Sequence, residues 1–321
     1  MPEPDPSLPE NSTRRATSPG GEKWLGQKIP LLDHGFVYLV DYMGDDAAIE
    51  QAARVSYGGG TRAVSATRGL IRYLWRHRHT TPFEMVELKF HAKMPIFVAR
   101  QWVRHRTANI NEVSGRYSIL DKEFYVPDPA ALAAQSKSNR QGRQEVLSAE
   151  EAESVRRLLI DDAERSYAHY EVLLNDDGEG HPTDPTRASL ARELARMDLS
   201  LNFYTQWYWK IDLHNLFHFL RLRMDSHAQF EIRVYADAMA RIVADLTPLA
   251  WEAFQDYDLN ALTLSHPEQQ ALAALWSTRS AAPLTLEDVI AAANSAGLTS
   301  KREQDELIAK LRGLGFIPAT P

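Results

Sequence analysis

A basic stretch stands out in a chain whose overall charge is negative. The 321-residue chain has a formal net charge of −7, yet residues 99–118 (ARQWVRHRTANINEVSGRYS) contain a single acid, Glu112. The basic side chains of the stretch are Arg100, Arg104, His105, Arg106 and Arg116. Guanidinium groups bind phosphate oxygens through planar pairs of donors, and Ser114 and Gly115 add a hydroxyl and an accessible backbone. The stretch therefore predicts an anion site, the alternative being a solvated basic helix end that the helix dipole stabilises.

A second basic position, Arg223, lies in the segment LHNLFHFLRLRMDSHAQFE (213–231). Ser226 and Gln229 predict a capping box at the start of the helix that follows. A guanidinium beside a helix N-terminus makes a focused positive site, which would stabilise negative charge that develops on a ligand. The alternative is an arginine that binds the carbonyl groups of a helix end.

Histidines suggest a metal site only weakly. His77 and His79 lie close to Glu84, and His214 and His218 are spaced one helical turn apart. An H-x-H pair at a helix end without a companion cluster is weak support for a metal, and exposed or loop-bonding histidines are the usual alternative. We therefore predict no metal site.

Composition narrows the class of protein. The chain has no cysteine, which excludes disulfides, thiolate metal sites and a cysteine nucleophile. No apolar run approaches the roughly 20 residues that cross a bilayer. The first residues lack the apolar centre of a secretory signal, so we expect a cytoplasmic protein without a membrane partner. An acidic chain also argues against nucleic acid as a partner.

The pattern of apolar residues predicts an α+β protein with an antiparallel sheet packed with helices. The segment 35–43 predicts a strand, alternating residues predict strands at 85–94 and 202–209, and a helix from Pro95 is expected to end around Arg106. TANINEV, which follows, has the composition of a loop. Because strands and helices do not alternate strictly, a doubly wound sheet is disfavoured. We expect a disordered tail at 1–28, a main domain at 29–261 and a helical appendage at 262–321.

The motifs resemble those of a known family. Arg104-His105-Arg106, seven residues and then Ser114-Gly115-Arg116-Tyr117 resemble the signature R-H-R-x7-S of the flavin-dependent thymidylate synthases. The blocks HTTPFE, PIFVARQWVRHR and LRLRMDSHAQFEI are also similar and occur in the same order. The similarity spans about residues 34–258 and departs from the family at Asn109, where the family has serine.

The resemblance implies the family's fold and reaction. It implies methylation of deoxyuridine monophosphate (dUMP) to thymidylate (dTMP), with methylenetetrahydrofolate as the carbon donor. NADPH-reduced FAD would supply the hydride. It also implies a homotetramer with flavin sites at subunit interfaces. The absence of cysteine agrees with this family, because the cysteine-dependent synthases add a thiol to the uracil ring.

The resemblance also assigns site residues. It makes Arg223 the catalytic group, which stabilises uracil with its imide nitrogen deprotonated. The residues implied to bind dUMP are Gln101, Arg104, Glu112, Val113, Ser114, Gly115, Arg116, Arg196 and Arg223. The residues implied to bind FAD are Ser56, His79, Arg104, His105, Arg106, Asp212, His214 and His218.

Two other functions compete with this one. A metal-dependent phosphohydrolase would use the histidines named above with Asp225. An RNA-binding module would use the arginines for phosphate contacts and the aromatic strands for base stacking.

Overall fold

The structure is a computed structural model that describes residues 15–55, 67–135, 143–277, 284–299, 301–314 and 316–317. Contacts divide the chain into two units, Met1–Tyr257 and Asp258–Pro321. The sequence predicted this division after residue 261.

The first unit is built on an antiparallel sheet, as predicted. The strands are β1 (Ile29–Leu31), β2 (Gly35–Met43), β3 (Glu87–Pro95), β4 (Asn109–Glu112), β5 (Ala133–Gln135), β6 (Arg143–Val146) and β7 (Tyr204–Asp212). Five of them form one sheet in the order β1-β2-β3-β7-β4, and β5 pairs with β6 separately. The strand predicted at 35–43 coincides with β2, and the two predicted alternations fall in β3 and β7.

Helices accompany this sheet. In the first unit they are α1 (Pro19–Glu22), α2 (Asp46–Val55), α3 (Thr67–Arg76), α4 (Ile96–Trp102), α5 (Ala149–Leu174), α6 (Arg192–Ala195), α7 (Leu213–Arg223), α8 (Phe230–Leu246) and α9 (Pro248–Phe254). The second unit contains α10 (His266–Ser277), α11 (Leu286–Ser295) and α12 (Lys301–Gly313). Within the described ranges, no helix combines the length and the apolar character that a membrane crossing needs.

The core lies on one face of the sheet. The alternating side chains Leu88, Phe90, Ala92 and Met94 of β3 are all fully buried there. Trp102, at the end of α4, packs on this face, with its ring 5.1 Å from that of Trp209 on β7. Period-two alternation thus separates a fully apolar face from a more polar one.

The expected disordered tail is wrong from residue 15 onward. The backbone N–H of Ser18 donates to the hydroxyl of Tyr42 at 2.8 Å, and Trp24 Nε1 donates to Asp245 at 2.7 Å. Proline and glycine suggested disorder, but here the small Gly21 lets α1 lie directly against Tyr42. Residues 1–14 lie outside the described ranges.

The second unit has its own apolar core, formed by side chains of all three helices. The buried Glu268 of α10 pairs with Lys310 of α12 at 2.5 Å. Thr285 and Asp288 form a capping box at the start of α11, and Gly297 ends the turn after that helix with a positive φ of 87°. A buried acid needs such a partner, so this pair fixes how α10 and α12 pack.

Two glycines provide a test of this packing. A Cβ at Gly35 would lie 2.1 Å from the hydroxyl oxygen of Tyr235, whereas one at Gly69 in α3 would meet nothing within 4 Å. We expect Gly35→Ala to lower the free energy of unfolding by about 1–3 kcal/mol through overpacking. Gly69→Ala, the matched control, should raise it by up to about 1 kcal/mol through helix propensity. Urea unfolding measures both, and an unchanged midpoint for Gly35→Ala would contradict the packing.

Candidate active site

The first half of the site begins where α4 ends. The helix was predicted to continue to about Arg106, but it ends at Trp102. The indole of Trp102 is fully buried against Trp209 and Phe219, and the chain then turns so that His105 also faces inward. Arg104 therefore lies in the turn after the helix and not one helical turn beyond Arg100.

Arg223 reaches this turn from the last residue of α7. Its Nε donates to Nε2 of His105 at 3.1 Å, and its Nη2 donates to the backbone carbonyl of Gln101 at 3.3 Å. Phe219, one turn earlier on α7, packs edge-on against the His105 ring at 4.9 Å. The structure thus brings together Gln101, Arg104, His105 and Arg223, which we call the Arg223 group.

His105 is a neutral member of this group. Only 8% of it is exposed. Burial, then the charge of Arg223 and then His218, lower the pKa of His105 from 6.5 to about 4. The imidazole is therefore uncharged near pH 7 and accepts the Arg223 hydrogen bond through an unprotonated Nε2.

The charge of Arg223 is not compensated by an acid. Burial, and then the neighbouring Arg104, lower the pKa of Arg223. Among the described residues, neither arginine forms an ion pair. Two guanidinium groups that are close together and lack a carboxylate partner attract an anionic ligand.

Gln229 is a member of the site that the sequence interpretation missed. It was assigned to a capping box with Ser226, but α8 begins at Phe230 and Gln229 makes no side-chain cap. Its side-chain oxygen accepts a hydrogen bond from Nε2 of Gln101 instead. The backbone N–H of His227 donates to the side chain of Asp225 at 2.8 Å. The residues around Ser226 therefore form a turn, and no helix begins there. The nearness of Gln229 to Arg223 in the sequence was the available signal.

The second half of the site follows β4. The segment predicted as a loop contains this short edge strand, which pairs with β7. Glu112 accepts a hydrogen bond from Oγ1 of Thr205 at 2.6 Å, and the backbone N–H of Val113 donates to Gln206 at 2.9 Å. The Ser114 hydroxyl accepts from the N–H of Arg116 at 3.3 Å, which closes a turn.

Gly115 brings this turn against Arg196. A Cβ at Gly115 would lie 3.2 Å from Cδ of Arg196, so the glycine permits the close approach. Arg116 pairs with Glu193 at 3.1 Å, and both side chains are more than half exposed. An exposed pair of this kind is weak and a ligand anion can replace it. We call Glu112–Arg116 together with Arg196 the Ser114 group.

The residues implied to bind flavin are distributed along α7 and beyond. His218 lies beside His105, with ring centroids 5.8 Å apart, and His214 lies near Trp75 of α3. Asp212 is the N-cap of α7 and accepts from the backbone N–H of Asn215 at 2.9 Å, which gives it a structural role as well. His79 is exposed beside Tyr73. Ser56 lies outside the described residues.

The two groups have no direct polar contact in the described part of the chain. Among the described residues, no hydrogen bond or ion pair joins the Arg223 group to the Ser114 group. The histidines suggested for a metal do not converge either. Among the described residues, the side chains whose ligand atoms lie close enough together to hold a metal ion are those of Asp177, Glu179 and His181. All three are exposed in another loop.

The state of His105 can be measured directly. We expect its ring signals in NMR spectra not to titrate above about pH 5, since the pKa is near 4. In Arg223→Gln the loss of the cation should raise the pKa of His105, although burial keeps it below 6.5. The ring signals of the exposed His181 serve as the control and should be the same in both proteins. A His105 signal that titrates identically in both would contradict the electrostatic contact.

Comparison with known proteins places the chain in a family. A family model described as "Thymidylate synthase complementing protein" matches residues 38–249. A flavin-dependent thymidylate synthase from Ruegeria pomeroyi is 62% identical over 253 residues, which are 79% of this chain and 81% of that protein. One from Gluconobacter oxydans is 58% identical over 253 residues, with 79% and 80% coverage.

A solved structure is similar as well. The crystal structure of the UMP/dUMP methylase PolB from Streptomyces cacaoi, bound with 5-Br UMP, aligns with a TM-score of 0.62 and 35% identity. The alignment covers 73% of this chain and 99% of PolB. The chain therefore belongs to the flavin-dependent thymidylate synthase family.

Proposed function

We propose that the chain methylates dUMP to dTMP, with methylenetetrahydrofolate as the carbon donor and NADPH as the source of reducing equivalents. FAD, when bound, supplies the hydride. Family membership supports the flavin-dependent reaction. The bound 5-Br UMP of PolB supports a uridine nucleotide as the substrate.

The observation that carries this proposal is the uncompensated charge of Arg223. A uracil ring attacks the carbon donor more readily when its imide nitrogen is deprotonated, because the ring carbon then gains electron density. A cation at the ring stabilises that anion, as donors aimed at developing charge do in other enzymes. Arg223 can hold this role without a cysteine, and the chain contains none.

The remaining groups bind the nucleotide in this proposal. Gln101 and Arg104 contact it beside Arg223, and the Ser114 group provides a hydroxyl, backbone amides and two further guanidinium groups. Arg104, Arg116 and Arg196 suit a phosphate because each presents a planar set of donors. Gly115 is buried, and its lack of a side chain lets this turn lie directly against Arg196.

The donor set also fits FAD. Arg106 is exposed and, among the described residues, forms no ion pair. It can therefore bind the diphosphate of FAD. His79, His214 and His218, with Asp212, contribute hydrogen-bonding groups along α7 and near it, whereas Nε2 of His105 is already bound to Arg223. Nδ1 of His214 is buried without a hydrogen-bond partner in the described part of the chain, which is consistent with a polar ligand there.

The proposal includes a homotetramer with flavin sites between subunits, in which each site would take residues from two chains. Beside Arg196, a groove of about 620 Å³ is lined by Val172, Leu173, Leu190, Leu194 and Met197, with His169 and Asp198 at its edge. Met197 is 73% exposed. Apolar surface of this kind is typical of protein contacts, so a second copy can cover it while supplying the other half of the site. The cytoplasmic location stays a prediction.

The relatives favour neither alternative function. The histidines of the proposed phosphohydrolase do not form a ligand cluster within the described residues. Arg223 is half-buried beside the core, whereas Arg100, Arg104, Arg106 and Arg116 are exposed, so it is the relatives and not burial that disfavour the RNA-binding module.

Arg223→Ala tests the proposed function. We expect dTMP formation to fall by at least about a hundredfold, because the variant lacks the cation that stabilises the deprotonated ring. FAD should stay bound, since Arg223 is assigned to the nucleotide. Product formation and the flavin absorbance of the purified protein measure the two effects.

Arg221→Ala is the matched control, because Arg221 is exposed on the same helix and belongs to neither group. It should leave the rate within about twofold. The flavin absorbance should also bleach when NADPH is added to the parent protein. A colourless protein that takes up no FAD would refute the flavin-dependent reaction, and an active Arg223→Ala would refute the role of Arg223.

A further inference from the structure

His105 binds Arg223 through a neutral acceptor. Nε of Arg223 donates to Nε2 of His105 at 3.1 Å, so the imidazole proton resides on Nδ1. The ring itself is fixed, because its own backbone N–H donates to the carbonyl of Trp102 at 3.0 Å and Phe219 packs against its side. A rigid acceptor of this kind defines the direction of the guanidinium plane.

The two bonds of Arg223 occupy one edge of its guanidinium. Nε and Nη2 form that edge, and they donate to His105 and to the carbonyl of Gln101. A guanidinium has five N–H donors, so both hydrogens of Nη1 and the second hydrogen of Nη2 remain. Within the described residues, Nη1 has no hydrogen-bond partner. The outer edge is therefore available to a planar ligand with two acceptors.

The chemical type of the acceptor matters. A carboxylate in the place of His105 would orient Arg223 equally well but would neutralise much of its charge. An imidazole without a charge and a backbone carbonyl orient it and leave the charge for the ligand. The nearby charge of Arg104 adds to the positive field.

We propose that His105 is a positioning residue that orients Arg223 toward the nucleotide without neutralising it. The identity of the ligand rests on the proposed function, but the Arg223–His105 contact does not. This role is distinct from the flavin contact that the family resemblance implies for His105, and the two roles predict different losses on mutation.

Four variants separate these roles. His105→Ala removes the acceptor, and His105→Gln restores a neutral oxygen near the position of Nε2. Arg223→Lys removes the Nε donor while keeping the charge, and the double variant His105→Ala/Arg223→Lys completes a double-mutant cycle. His181→Ala is the control, because His181 is exposed and belongs to neither group. Calorimetry with dUMP gives the Kd, and absorbance gives the flavin content.

We expect His105→Ala to raise the Kd for dUMP about tenfold or more, because a hydrogen bond to a charged group is lost. His105→Gln should return the Kd to within about threefold of the parent. In the Arg223→Lys background, His105→Ala should change the Kd by less than about twofold. Flavin content should stay constant throughout, and His181→Ala should bind dUMP like the parent.

Three results would overturn the proposal. One is an equal loss from His105→Ala in both backgrounds, another is a His105→Gln variant no better than alanine, and the third is loss of flavin instead of dUMP. Thermal unfolding of each variant identifies a folding defect. If His105→Ala has one, the Kd of His105→Gln for dUMP decides, because glutamine keeps most of the side-chain volume. If the parent itself binds no dUMP, the proposed function fails. The inference is then tested by the 15N shift of His105 Nε2, which must change in Arg223→Lys; an unchanged shift overturns it.

Discussion

The packing of Trp102 against Phe219 is the contact on which the site depends. It joins the end of α4 to the middle of α7 on the buried face of the sheet, with ring centroids 5.1 Å apart. His105 follows Trp102 by three residues, and Arg223 follows Phe219 by one helical turn. Because both aromatic rings are fully buried, the polar residues next to them have little freedom. The apolar core thus sets the geometry of the charged group.

This arrangement solves an electrostatic problem. A half-buried guanidinium loses hydration, and most proteins compensate such a charge with a carboxylate. Here the pKa of Arg223 is lowered by burial and by Arg104, and its partners within the described residues are an imidazole and a carbonyl. The electrostatic stabilisation of Arg223 that an acid would supply can therefore come from an anionic ligand. In the proposed reaction, such a site would stabilise an anion in place of covalent attack by a thiol.

Much of the fold followed from residue pattern, whereas the ends of the helices did not. β3 and β7 were predicted from alternation, because the buried face of a sheet demands period two. The predicted end of α4 lies too far along the chain. The inward turn of His105 depends on Phe219 and Arg223, which are distant in sequence. The capping box at Ser226 was wrong because Gln229 instead binds Gln101. At such positions, tertiary contacts override the local sequence pattern. The site residues were chosen by resemblance, and their roles stay predictions.

The two groups differ in how firmly they are held, and this difference has a consequence. Core rings fix the Arg223 group, whereas an edge strand, one glycine contact and an exposed ion pair position the Ser114 group. A loop held by such weak contacts can adjust to a ligand at little cost in free energy. In the proposed homotetramer the rigid group of one copy would orient the reacting ring, while the adaptable group of another would close on the phosphate. Catalytic geometry would then depend on the core of a single chain, and affinity on the assembly.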